Sequence, residues 1–193
     1  MMEFDGIVAI VTGATSGIGM AVARKLAEQG AKVAAAGRRK DVLAGVASNK
    51  IRTYTVDLLD EKGTAAFDQN VLNDFGGIDV LVNAAGIIAS GTIENTTLVD
   101  YDLMMNINVR AAYAAAYYAL PHMRNQRWGH ILNMCPALSL LPTPGKVAYM
   151  ISKLGMARVA IGIAAEHRAD NIAANTLWPR TPIESQATIN LGI

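Results

Sequence analysis

Two kinds of apolar segment alternate along this chain. Short, mostly apolar runs recur at Ile7–Val11, Lys32–Ala36, Ile51–Val56, Ile78–Val82, Gly129–Met134 and Ile172–Trp178. The first has no polar alternation, the pattern of a strand buried on both faces. Between these runs lie segments with helical spacing: Met20–Gln29, ended by Gly30; a short one from about Lys40 to Ala47; Glu61 to Asp74, closed by Phe75-Gly76-Gly77; a long one from Leu98 to Met123; and one carrying Tyr149 and running on through Glu166. A glycine just past the last helical residue is a usual stop signal. Strands alternating with helices predict an α/β domain: a doubly wound parallel sheet of about six strands in three layers. No internal repeat or linker divides the chain, so residues 1–193 are expected to form one domain.

Composition narrows the class. The chain is 52% hydrophobic, enough for a sizeable core at 193 residues. Its formal net charge is +1, which gives no large field for nucleic acid or an anionic membrane, and neither is expected as a partner. The single Cys135 excludes an internal disulfide and suits a reducing compartment, so a cytoplasmic location is expected. The N-terminus has no basic stretch ahead of an apolar run, and no segment long enough to span a bilayer is expected.

The candidate chemistry sits at two places. The first strand runs directly into Thr12-Gly13-Ala14-Thr15-Ser16-Gly17-Ile18-Gly19 and then into a helix. Glycines there let backbone approach a pyrophosphate, and the helix start offers free N–H groups and a positive dipole end. Far downstream, Tyr149 and Lys153 stand four apart, one turn apart on one helix face. A free phenol titrates near pH ~10, and a nearby cation favours its phenolate. A tyrosine tuned in this way can pass a proton to or from an alcohol or ketone oxygen.

The Gly13-x-x-x-Gly17-x-Gly19 spacing together with Tyr149-x-x-x-Lys153 resembles the short-chain dehydrogenase/reductase family, along nearly the whole chain. The resemblance implies a Rossmann-type fold, a nicotinamide dinucleotide in the glycine turn (Gly13, Thr15, Ser16, Gly17, Ile18, Gly19) and no metal. It makes Tyr149 the proton donor or base. Lys153 lowers the phenol pKa and binds the nicotinamide ribose, and Asn108 serves a proton relay. Asp57 and Leu58 are expected beside the adenine; Asn83, Ala84, Ala85 and Gly86 under the cofactor; and Pro179 and Thr181 near the nicotinamide. The second strand ends in Gly37-Arg38-Arg39, with no carboxylate to repel a 2′-phosphate, and Arg38 can pair with one. NADP(H) is therefore expected over NAD(H). The resemblance also implies a homo-oligomer, a dimer or tetramer, packed through the helix that carries Tyr149.

The pattern breaks in three places. Ala84 replaces the second asparagine of the family's Asn-Asn-Ala-Gly turn, and Arg180 stands where the family has glycine after Pro179. The family's usual serine lies thirteen residues before the tyrosine, where this chain has Pro136. Cys135 and Ser139 are the candidates for its role, and Ser139 enters the expected catalytic set. The stretches around Cys135 and Trp178 resemble hydroxysteroid-dehydrogenase-like members, which carry serine at the Cys135 position. The chain is also short at its C-terminus against ordinary members, so a partial substrate lid is expected. The leading expectation is NADP(H)-dependent interconversion of a secondary alcohol and a ketone, with a small alcohol or carbonyl compound as substrate. The alternatives are a non-catalytic or weakly active dinucleotide-binding protein of the same fold, and an incomplete domain that needs a partner chain.

Overall fold

The computed structural model describes residues 2–136, 143–180 and 183. Six strands form one parallel sheet: β1 (Val8–Thr12), β2 (Lys32–Gly37), β3 (Ile51–Thr55), β4 (Val80–Asn83), β5 (Gly129–Met134) and β6 (Ile172–Leu177). Their order across the sheet is β3-β2-β1-β4-β5-β6. The winding reverses between β1 and β4. In open sheets of this kind, the crevice outside the strand C-termini at that reversal is the ligand site.

Helices cover both faces. The pleat sends alternate residues of one strand to opposite sides. Val8 and Ile10 pack with Phe67 and Val71 of α3 (Glu61–Phe75), Ala115 of α5 (Ala111–Gln126) and Ile163 of α6 (Val147–Glu166). Val11 and Val33 turn the other way, to Ala23 of α1 (Gly17–Glu28) and to Val46, just past α2 (Lys40–Ala44). Three of the strands reach one residue further than the apolar runs do, to Thr12, Gly37 and Asn83. At two of these ends, Thr12 and Asn83, a polar side chain is retained, buried and hydrogen-bonded to neighbouring elements.

The segment expected as one long helix is not uniform. α4 (Leu98–Met104), capped where the Thr97 hydroxyl accepts from Asp100 N at 3.0 Å, gives way to a π-helical turn over Met105–Arg110 before α5 begins. Such turns insert an extra residue and often mark functional sites. Here the turn contains Asn108, which is fully buried.

α6 corrects another expectation. By length and a mean hydropathy of 1.4 it is apolar enough to cross a membrane. In this fold Met156, Ala160 and Ile163 are buried under it, and it also buries Ser152 and Lys153.

Candidate functional site

The glycine turn is built for close approach. Gly13 and Gly17 have φ of +68° and +52°, the left-handed region where a side chain is strained. A Cβ on Gly13 would lie 2.6 Å from Ala85 N, and one on Gly19 would collide with the Gly13 carbonyl oxygen. Thr12 fastens the turn to β4: its hydroxyl donates to Val82 O at 3.4 Å and accepts from Ala85 N at 3.3 Å. Ser16, the N-cap of α1, makes no side-chain capping bond, and the first turn holds no acid. The first N–H groups of α1 are therefore offered to an anion. Arg39 reaches back over the turn and donates to the Thr15 hydroxyl at 3.0 Å, while Arg38 stands exposed at the end of β2.

Asn83 does not face the cleft, which corrects its assignment to the cofactor. It is 2% exposed; its Nδ2 donates to Asn133 Oδ1 at 2.9 Å, and Asn133 Nδ2 donates to Met156 O at 2.8 Å. This buried amide chain ties β4, β5 and α6 together. The next residues, Ala84, Ala85 and Gly86, do line the cleft.

At the β5–α6 end the structure brings Asn108, Tyr149 and Lys153 together. Asn108 is clamped to Ile87: its Oδ1 accepts from Ile87 N at 2.8 Å and its Nδ2 donates to Ile87 O at 2.9 Å. That amide also donates to Ser152 Oγ at 2.8 Å, and Ser152 Oγ donates to Tyr149 O at 2.7 Å. A Cβ on Gly86 would lie 3.1 Å from Lys153 Nζ and 3.2 Å from Asn108 Oδ1, so the glycine leaves room between them. Lys153 Nζ donates to Met134 O at 3.0 Å and to Met156 Sδ at 3.3 Å, and lies 5.9 Å from the Tyr149 ring centroid.

Electrostatics at this end differ from the sequence expectation. Burial raises the Tyr149 phenol above its ordinary value, with a further rise from the Cys135 sulfur when it is ionised. The ammonium is turned to Met134 O and Met156 Sδ, and its burial brings it down to about 8, with a small rise from Cys135. Burial likewise raises Cys135, partly offset by Lys153.

These parts share one cleft of about 990 Å³, running from Arg38, Asp57 and Leu58 over the glycine turn to Tyr149, Lys153 and Pro179. Asp57 braces its own turn by accepting from Leu59 N at 3.0 Å. Cys135 and Pro136 also line the cleft, and the Cys135 thiol donates to Lys153 O at 3.5 Å. Ser139 and Thr181 lie outside the described residues.

A family model described as short chain dehydrogenase matches residues 7–191. The chain belongs to the short-chain dehydrogenase family. Its six-stranded parallel sheet is that family's Rossmann-type fold. Hydroxysteroid dehydrogenase-like protein 2 of Xenopus laevis is 36% identical over 98% of this chain and 49% of that protein. The Danio rerio protein of the same name is 38% identical over 98% of the chain and 49% of that protein. The chain thus spans about half the length of these curated relatives. Among solved structures, a metagenomic short-chain oxidoreductase in complex with NADP superposes with a TM-score of 0.87 at 31% identity, over 92% of this chain and 84% of that one. A short-chain dehydrogenase from Streptomyces avermitilis gives 0.86 at 27% identity, over 91% and 67%.

The residues present fit the family's dinucleotide. The cradle at Gly13 and Gly19 has no room for a Cβ, the start of α1 offers uncapped N–H groups, and Lys153 lies beside Tyr149. Sequence reading missed Ser152, Asn133 and Met156. Ser152 sits inside the Tyr-x-x-x-Lys stretch and was legible as a polar residue on a buried helix; Asn133 and Met156 meet their partners only through the fold.

Proposed function

We propose that this protein is an NADP(H)-dependent oxidoreductase interconverting a secondary alcohol and a ketone. The observation that carries this reading is the meeting of the glycine turn with Asn108, Tyr149 and Lys153 around one cleft. A bound nicotinamide dinucleotide would supply the hydride. The α1 N-terminus, with Gly13, Thr15, Ser16, Gly17, Ile18 and Gly19, would hold its pyrophosphate. Arg38 suits the 2′-phosphate, Asp57 and Leu58 the adenine, and Ala84 to Gly86 with Pro179 the nicotinamide half.

Tyr149 carries the proton. Burial keeps the phenol protonated, the state needed to donate to a forming alkoxide during ketone reduction. Lys153 is mostly charged at pH 7, and its ammonium is available to ribose hydroxyls when it leaves Met156. Asn108 and Ser152 hold the π-helical turn against α6 and so fix where Tyr149 and Lys153 stand. Steady oxidation of NADPH by a panel of ketones is the test. Tyr149→Phe is expected to lower kcat by at least 100-fold while NADPH still binds, and surviving turnover places the chemistry elsewhere.

Cys135 and Pro136 favour a second reading. Proline has no donor, and a buried thiol polarises a carbonyl poorly. A weakly active or non-catalytic dinucleotide-binding protein would bind NADPH in the same cleft and oxidise none of it.

A homo-oligomer in the cytoplasm completes the proposal. Tyr113 and Tyr117 on α5, and Ile151, Leu154 and Ile161 on the adjoining α6, are exposed, and an apolar patch of this kind favours protein contact.

A further inference from the structure

Cations line both ends of the cleft, and the 2′-phosphate assigned to Arg38 accounts for those at one end only. Arg38 and Asp57 follow β2 and β3 at one side of the sheet. Lys146 and Arg180 belong to the other side, where α6 begins and β6 ends. With strands about 4.8 Å apart, the four steps from β2, which Arg38 follows, to β6, which Arg180 follows, span roughly 19 Å. Lys146 and Arg180 therefore have no part in reading the 2′-phosphate.

Lys146 and Arg180 line the same cleft as Tyr149. Lys146 directly precedes α6, three residues before the tyrosine, and its loop is pinned where Gly91 N donates to Gly145 O at 2.9 Å. Arg180 follows β6, whose end is set beside the active-site thiol because Cys135 N donates to Leu177 O at 3.2 Å. Lys153 is a third cation here, but it is held by Met134 O and Met156 Sδ. Among the described residues lining this end there is no carboxylate. The walls are apolar, with Ile87, Ile88, Ile107 and Met134.

We propose that the catalytic end of the cleft takes a carbonyl compound with an apolar stem and an anionic group, a carboxylate, which Lys146 and Arg180 bind. The carbonyl part rests on the oxidoreductase reading above; the anionic part rests on the two cations alone. A neutral ketone would leave both cations without a counter-charge among the described residues of this end. A carboxylate offsets both, and the planar guanidinium of Arg180 can grip it through two parallel hydrogen bonds. The isoleucine walls bury the stem.

Calorimetric titration of the full chain with octanoate and with octanamide, before and after saturation with NADP⁺, tests this. Octanoate is expected to bind at least tenfold tighter than octanamide. In the Lys146→Ala/Arg180→Ala variant that advantage falls below threefold, while octanamide and NADP⁺ bind as before. Equal affinities in the unaltered protein overturn the proposal, as does an advantage that survives the double substitution. A tenfold loss of NADP⁺ affinity in the variant also overturns it, because the cations would then serve the cofactor. If the alanine variant melts early, Lys146→Gln/Arg180→Gln takes its place. Absence of NADP⁺ binding and of NADPH oxidation would sink the oxidoreductase reading separately. An octanoate preference in the cofactor-free protein would then still stand.

Discussion

Asn108 Nδ2 donates to Ser152 Oγ across 2.8 Å, and neither residue is exposed to solvent. This bond joins the π-helical turn to α6 one residue before Lys153. Ser152→Ala leaves one amide hydrogen of Asn108 without a partner in a dry place, at a cost of about 1–3 kcal/mol. The expected result is a melting temperature several degrees lower. Turnover is expected to fall by about tenfold with the KM for NADPH unchanged, because the altered bond lies behind the reacting groups. A melt equal to that of the unaltered protein would show that the bond contributes nothing to the fold.

Asp68 is the second buried polar group with a measurable consequence. It is 3% exposed on α3, its Oδ2 has no hydrogen-bond partner among the described residues, and burial raises its carboxyl to about 7. The folded protein therefore holds a proton there that the unfolded chain has released above about pH 4. Stability from this group is full below about pH 4 and is lost as pH rises through 7. Asp68→Asn keeps the shape and removes the titration. Melts from pH 4 to 8 are expected to decline less steeply for the variant, and parallel curves would refute the assignment.

Cys135 tests how much the missing hydroxyl matters. Its thiol lines the cleft beside Lys153, is 3% exposed, and is kept protonated by burial. Cys135→Ser supplies a stronger donor of nearly the same size. If the residue faces the reacting oxygen, kcat for ketone reduction is expected to rise by about tenfold, a modest share of what one such donor contributes. An unchanged kcat would remove this position from the chemistry.

The strands, the helices and the glycine turn were legible because each is a local pattern. A buried strand needs an apolar run, and a cradle without Cβ atoms needs glycines at fixed spacing. The misreadings share another cause. Asn83 looked like a cofactor residue because its partner, Asn133, is fifty residues away and adjacent only in the sheet. The π-helical turn was read as plain helix because Asn108 is drawn to Ile87 backbone from another segment. The Tyr149 phenol was expected to be low because Lys153 is a near neighbour in sequence. Burial, which sequence spacing does not carry, raises the phenol instead and lowers the ammonium.

Arg38 and Arg39 are adjacent in sequence and differ in structure, which separates two roles. Arg39 is committed to the glycine turn through Thr15, donating to its hydroxyl at 3.0 Å and its carbonyl oxygen at 3.3 Å. Arg38 lines the same end of the cleft, is exposed, and stands where a 2′-phosphate would be met. Arg38→Asp places a carboxylate there, repelling the phosphate and accepting from a ribose hydroxyl. The ratio of NADPH to NADH affinity is expected to fall by at least tenfold. Arg39→Ala loosens the turn that both cofactors share, so it is expected to weaken both by a similar factor and leave the ratio near its starting value. Titrating each variant with both dinucleotides decides the matter. A ratio that moves with Arg39 and not with Arg38 would transfer recognition of the phosphate to the second arginine.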